Sequence, residues 1–258
     1  MKNTVTTMVV ALLFLPNVSM SQDQMAFIPS GIYTPLYEAQ EDTLQIIVDP
    51  MNMDVYPVTN EDYLEFVMEY PKWKRSAAKR IFADGSYLTQ WSSDSTFNEI
   101  VDQSPVTNIS WFAARAYCKC KEKRLPTVAE WEYVAAASEM SRDGKNEDEY
   151  NQRILDWYSK PNPETLPAVG STFKNYYGIY DMHGLVWEWV DDFNTALVTG
   201  ESRGDSELNR NLFCGSGALG SSDFLDYPAF LRYGFRSSLK ANYSVTNLGF
   251  RCVKNSKK

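Results

Sequence analysis

Residues 178–192 read GIYDMHGLVWEWVDD. Gly178 and Gly184 interrupt an otherwise aromatic and acidic run, and glycine lets a backbone turn tightly or approach a neighbour closely. On residue types alone the stretch reads as a turn that solvates two acids, Asp181 and Glu188, and buries Trp187 and Trp189. It also holds His183, the single histidine of the chain. That excludes any metal centre built on two or three histidines. Ser-His or Cys-His catalysis would have to run through His183, whose plain reading is a packed or hydrogen-bonded turn residue.

Outward from this stretch, the chain after Leu166 is a series of short apolar pieces broken by Gly, Asn, Asp and Ser. Upstream, KRLPTVAEWEYVAAAS (123–138) sets Thr127 and Glu130 in a T-x-x-E capping box, which predicts a helix. NISWFAARAYCKCKEKR (108–124) predicts another, capped by Ser110, with Trp111, Ala114 and Cys118 on one side. In TNEDYLEFVMEY (59–70), Thr59 caps a third helix whose stripe is Tyr63, Phe66, Val67 and Tyr70. The alternating stretch 27–59 predicts two or three short strands. Residues 71–104 are polar with scattered aromatics and read as a long surface excursion, and 141–153 as a charged loop. Trp73, Phe82, Tyr87, Trp91 and Phe97 form a contact surface if exposed and ordinary core if buried. The expected class is α+β, one domain with modest regular structure and much ordered loop.

Of the 258 residues 44% are hydrophobic and 22% charged, a balance that buries a real core. The net charge of −8 argues against nucleic acid, which requires a basic surface. MKNTVTTMVVALLFLPNVSMSQ opens the chain with Lys2, an apolar run Met8–Leu15, then Ser19 and Ser21. That is the layout of a signal peptide cleaved before Gln22, so residues 1–21 are read as leader and 22–258 as the domain. The apolar run is too short to span a bilayer, no cysteine near the cleavage point offers a lipid anchor, and no other segment reads as transmembrane. The expectation is a soluble exported protein, periplasmic or secreted.

Four cysteines remain: Cys118, Cys120, Cys214 and Cys252. In an exported protein an even count favours disulfides, with the pairing open. Cys118 and Cys120 without a histidine make a poor zinc signal. Cys214, in LFCGSGALGSS (212–222), is a nucleophile, half of a disulfide or filler.

In order and spacing, 123–138, 178–192 and LRYGFRSSLKANYSVTNLGFRCV (231–253) resemble the formylglycine-generating enzyme (sulfatase-modifying factor) family. PVTNISWFAARAYC (105–118) and VYPVTNEDYLEFV (55–67) fit the same pattern, so the resemblance runs from about Phe27 to Val253. It implies a single compact domain related to the C-type lectin fold, with low regular secondary structure. Active members oxidise a sulfatase cysteine to formylglycine with molecular oxygen and copper(I) held by two cysteines. Relatives include iron-dependent sulfoxide synthases and structural parts of bacterial surface machinery, so the site must decide function.

Carried over by position, the family's Gly-Gly-Ser element is Cys214-Gly215-Ser216, and the two copper ligands fall at Leu219 and at or near Pro228. Copper(I) wants soft thiolates, and no cysteine lies between Ser216 and Cys252, so copper is not expected. The alternative is a rebuilt site on Cys214, beside Ser216, with Cys120; a structural Cys120–Cys214 disulfide or two buried thiols are the plainer readings. The iron-dependent relatives need histidine ligands that His183 alone does not supply.

The resemblance pairs Cys118 with Cys252, and Cys118 shares the helical face of Trp111 whereas Cys120 lies off it. It also implies a calcium site with side-chain ligands Asp181 and Glu188 and backbone carbonyls of Gly184 and Val186, a chemically reasonable oxygen set. The family's usual Asn is here Leu185. Arg232, Arg236 and Arg251 match arginine positions of the family, as internal ion pairs or as a remnant groove for an anionic or peptide ligand. The expected function is therefore a pseudoenzyme: a binding or structural component of an envelope or secreted assembly, with a protein or peptide partner. The alternatives are a divergent oxidase using Cys214 and a calcium-dependent lectin-like binder.

Overall fold

The alternation of the N-terminal stretch becomes four short strands in the computed structural model, which describes residues 24–35, 45–98, 101–194 and 227–256. Strands β1 (Met25–Ile28) and β4 (Met51–Asp54) pair antiparallel, with Met25 opposite Asp54 and Ile28 opposite Met51. Strands β2 (Gly31–Tyr33) and β3 (Ile46–Val48) form a separate antiparallel pair. The other side of β4 is taken by β7 (Val253–Asn255), from the far end of the chain, so the sheet order is β1-β4-β7. A parallel bridge of β5 (Trp187–Glu188) with β6 (Leu248–Gly249) joins the GLVWE (184–188) and GFRC (249–252) regions.

The expected caps hold. Helix α1 (Asn60–Glu69) starts on a capping box of Thr59 and Asp62, and α2 (Trp111–Cys120) on Ser110, whose hydroxyl accepts from the Ala113 N–H. Helix α3 (Val128–Ala135) has the box of Thr127 and Glu130, each such cap contributing about 1 kcal/mol. The stripes meet in an aromatic core: Tyr63 stacks on Tyr117 with centroids 5.8 Å apart, and Phe250 sits edge-on to Tyr117 at 5.3 Å. Cys118 and Cys252 are bonded, Cα atoms 5.6 Å apart, tying α2 to the strand that closes the sheet.

Three stretches differ from expectation. Residues 71–98 are irregular but not superficial, because their aromatics plug into the core. Trp73, Tyr87 and Trp91 are buried; the Trp91 indole donates to Asn60 Oδ1 at 2.8 Å and the Tyr87 hydroxyl to the Trp73 carbonyl at 2.9 Å. Phe82 is the exception, 40% exposed. The charged loop instead ends in a helix, α4 (Asp148–Ser159), with Asp148 and Glu149 at the positive end of its dipole and Tyr150, Asn151 and Ile154 buried. A further helix, α5 (Tyr227–Ser237), carries Arg232 and Arg236 inward. Among the described residues no helix is long and apolar enough to cross a membrane.

Candidate functional site

Helix α3 places Glu132 on the buried stripe of Val128, Trp131 and Ala135, so a carboxylate points into the core. Two guanidiniums from one face of α5 take it. Arg232 Nε donates to Oε1 at 3.0 Å and Nη2 to Oε2 at 2.6 Å, while Arg236 Nη1 donates to Oε1 at 2.5 Å. Arg232 Nη1 also donates to the Tyr158 hydroxyl at 3.3 Å, which draws α4 into the cluster. Burial pushes the Glu132 carboxyl up, but the two guanidiniums outweigh it and hold it at about 2.

A second pair lies beyond Trp131. Glu188 on β5 is clasped by Arg251, whose other donors reach the carbonyls of Asp54, Val55 and Tyr180. The Trp131 indole donates to Glu188 Oε2 at 2.8 Å, while its ring face lies 4.8 Å from the Arg236 guanidinium. One tryptophan therefore links the two ion clusters. Each charge is buried and paired, the condition under which interior charges are tolerated.

His183 packs edge-on to Trp131 and Tyr150. Its Nε2 is 3.0 Å from the Ala135 carbonyl, which can only accept, so Nε2 carries the proton. Burial first, then the charge of Arg232, lowers its pKa to about 3, and the ring is neutral. It is a packed core histidine, in line with its plain reading, with Nδ1 lacking a partner among the described residues.

Over these clusters lies an aromatic stack. Trp187 is parallel to Tyr158 at 5.0 Å and meets Phe235 at 4.5 Å. The space left among Trp131, Trp187, Arg232, Phe235 and Arg236 is about 10 Å³, room for about one water. No substrate side chain fits there.

The calcium ligands implied by the resemblance do not form a cation site as placed. Asp181, at φ +61°, spends its carboxylate on the Gly170 and Thr172 N–H groups and the Thr172 hydroxyl. Glu188 is neutralised by Arg251 and bonded to Trp131. N–H and O–H donors thus occupy the positions a calcium ion would need, and a guanidinium already supplies the positive charge. Gly184, at φ +102°, serves the turn: a Cβ there would stand 3.0 Å from Thr172 Cγ2. Val186 is buried beside Val169 and Leu185. Among the described residues no three His, Cys, Asp or Glu side chains gather as a metal site.

Cys118 and Cys252 are consumed by their disulfide, and Cys120 is a half-buried thiol whose pKa is raised by burial. Pro228 is buried in the first turn of α5. Cys214, Ser216 and Leu219 lie outside the described residues. Residue-type reasoning passed over Glu132 and Tyr158. The signal for Glu132 was its place four residues after Val128 and one after Trp131, on an apolar stripe where a lone acid demands a partner.

The sulfatase-modifying factor enzyme 1-like domain matches residues 12–256. An inactive C-alpha-formylglycine-generating enzyme 2 of Bos taurus is 27% identical over 250 residues, covering 81% of this chain and 78% of that one. A formylglycine-generating enzyme of Streptomyces coelicolor is 32% identical over 167 residues, 58% of this chain and 52% of that protein. The serine/threonine-protein kinase pkn1 of Chlamydia caviae is 27% identical over 66% of this chain, yet the match spans only 28% of the kinase. Among solved structures, CarF superposes over 91% of this chain and 98% of its own, with a TM-score of 0.50 at 17% identity. Treponema denticola variable protein 1 does so over 90% and 95%, with a TM-score of 0.51 at 18% identity, and both show the shared fold. The chain belongs to the sulfatase-modifying factor enzyme 1-like domain family.

Proposed function

We propose that this chain is an exported family member without copper-dependent oxidation, serving as a binding or structural component of an envelope or secreted assembly. The observation that carries the reading is the fate of the thiols. Positions 219 and 228 hold leucine and proline, and of the cysteines within the described residues two are bonded to each other and one is half-buried on α2. Among the described residues no two free thiols are available to give copper(I) a linear or trigonal sulfur site. The cluster beneath Trp187 supports the same reading, since its ion pairs and aromatic stack hold α3, α4 and α5 together as a structural element. A relative named as inactive supports a scaffold use of the fold, and export rests on the leader-like residues 1–21.

Oxygen consumption by the purified chain, supplied with copper(I), a thiol reductant and a cysteine-containing peptide, tests this directly. No turnover above the copper-only rate is expected. Turnover that disappears in Cys214→Ser overturns the reading in favour of a rebuilt oxidase.

A further inference from the structure

Residues 72–80 read KWKRSAAKR, five cations in nine residues, in a chain whose net charge is −8. No acid occurs from Pro71 to Ala83. Lys72, Arg75, Lys79 and Arg80 are exposed. One acid from outside the run reaches it: Asp94 accepts from the Ser76 N–H and hydroxyl and feels the charges of Lys74 and Arg75. The same run opens a groove of about 310 Å³ lined by Lys72, Trp73, Ala77, Lys79, Phe82 and Phe112. Its apolar wall is built edge-to-face, Phe82 against Trp73 at 6.3 Å and against Phe112 at 5.3 Å. Ile81 stands 71% exposed next to it.

These features answer one another. Five cations against one acid around an aromatic slot hold like charges together at a cost, and the cost is offset when an anionic partner arrives. The slot is large enough for one or two bulky side chains and too small for a folded surface. We infer that this groove docks a short acidic peptide segment of a partner protein, its apolar side chain seated on Trp73, Phe82 and Phe112 and its carboxylates on Lys72 and Lys79. A short peptide at the Lys72 and Lys79 end of the groove meets the cations and not the acidic remainder of the molecule. An extended anionic lipid surface would also face the acidic remainder of the molecule, which disfavours it. The groove is separate from the Glu132 and Glu188 clusters, so the inference stands whether or not the chain catalyses oxidation.

The test is fluorescence anisotropy of the purified protein with a short fluorescein-labelled peptide in which aspartate and glutamate flank a central Leu-Phe pair. Saturable binding is expected, weakening as salt is raised. The exposed double variant Lys72→Glu/Lys79→Glu is expected to lose at least about tenfold in affinity with an unchanged melting curve. Phe82→Ala is expected to lose about threefold or more. Equal binding of a lysine-flanked peptide, indifference to the double variant, or no binding at all overturns the proposal. So does selective co-sedimentation with phosphatidylglycerol vesicles that the double variant abolishes, which would assign the patch to a membrane.

Discussion

Arg251 and Glu188 bury each other completely: Nε lies 3.0 and 2.8 Å from the two carboxylate oxygens and Nη2 lies 2.7 Å from Oε1, with neither side chain exposed. The pair joins the turn at 178–192 to the segment between β6 and β7. Removing one partner leaves the other charged in the core, so Arg251→Met is expected to lose about 3–5 kcal/mol in urea unfolding. Replacing both, Glu188→Leu with Arg251→Met, is expected to recover a good part of that loss, although the Trp131 indole then lacks its acceptor. Equal losses in the single and double variants would show that the ion pair is not the stabilising element.

The disulfide closes a loop of 134 residues. Cys118→Ala with Cys252→Ala is expected to lower stability by roughly 4–5 kcal/mol on the chain-entropy account, read as a lower urea midpoint. A loss below about 1 kcal/mol would mean that the unfolded chain is already held compact by other contacts.

Acid should weaken the fold in two separable steps. The folded pKa of His183 is lowered to about 3, below its ordinary 6.5, so below pH 6.5 the unfolded chain takes up a proton that the folded one refuses. Stability from this residue is complete above pH 6.5 and falls toward pH 3, by up to about 1.4 kcal/mol per pH unit. The lowered pKa of Glu132, about 2 against 4.5, removes its contribution only as pH falls from 4.5 toward 2. Asp54, raised to about 6 by burial, acts the opposite way in both proteins, so the advantage in urea midpoint of His183→Gln over the parent is expected to widen from pH 7 to 5.5 to 4.5. A parallel decline in both proteins would move the cause elsewhere.

Calcium should not stabilise this domain, because Arg251 already neutralises Glu188 and Asp181 is saturated by N–H and O–H donors. Melting temperatures in excess calcium and in EDTA are expected to agree within about 1 °C. A rise of several degrees with calcium would show that these carboxylates rearrange around the ion.

The helices of the sequence were legible where their signals were local. Thr59, Ser110 and Thr127 each cap within three residues, and the stripes on α1 and α2 repeat at helical spacing. Helix α4 was hidden because its charged outer face swamps the three buried positions, and α5 because Arg232 and Arg236 count as polar while facing inward. Whether Trp73, Tyr87 and Trp91 were surface or core depended on α1, a partner distant in sequence, and no local pattern reports that. The Cys118–Cys252 bond came from family resemblance and is present. Asp181 and Glu188 read from sequence as solvated acids or as calcium ligands, and only the packing shows their donors.

The pairing of β4 with β7 has a consequence for biogenesis. The middle strand of the sheet is made early, but its second neighbour, the disulfide partner of Cys118 and the counterion of Glu188 all lie between residues 251 and 255. The sheet, the disulfide and the Glu188 ion pair cannot be completed until residues 251–255 emerge. A truncated product therefore keeps a buried acid without its cation, a thiol without its mate and a bare strand edge, which are features that unfoldase and protease surveillance acts on.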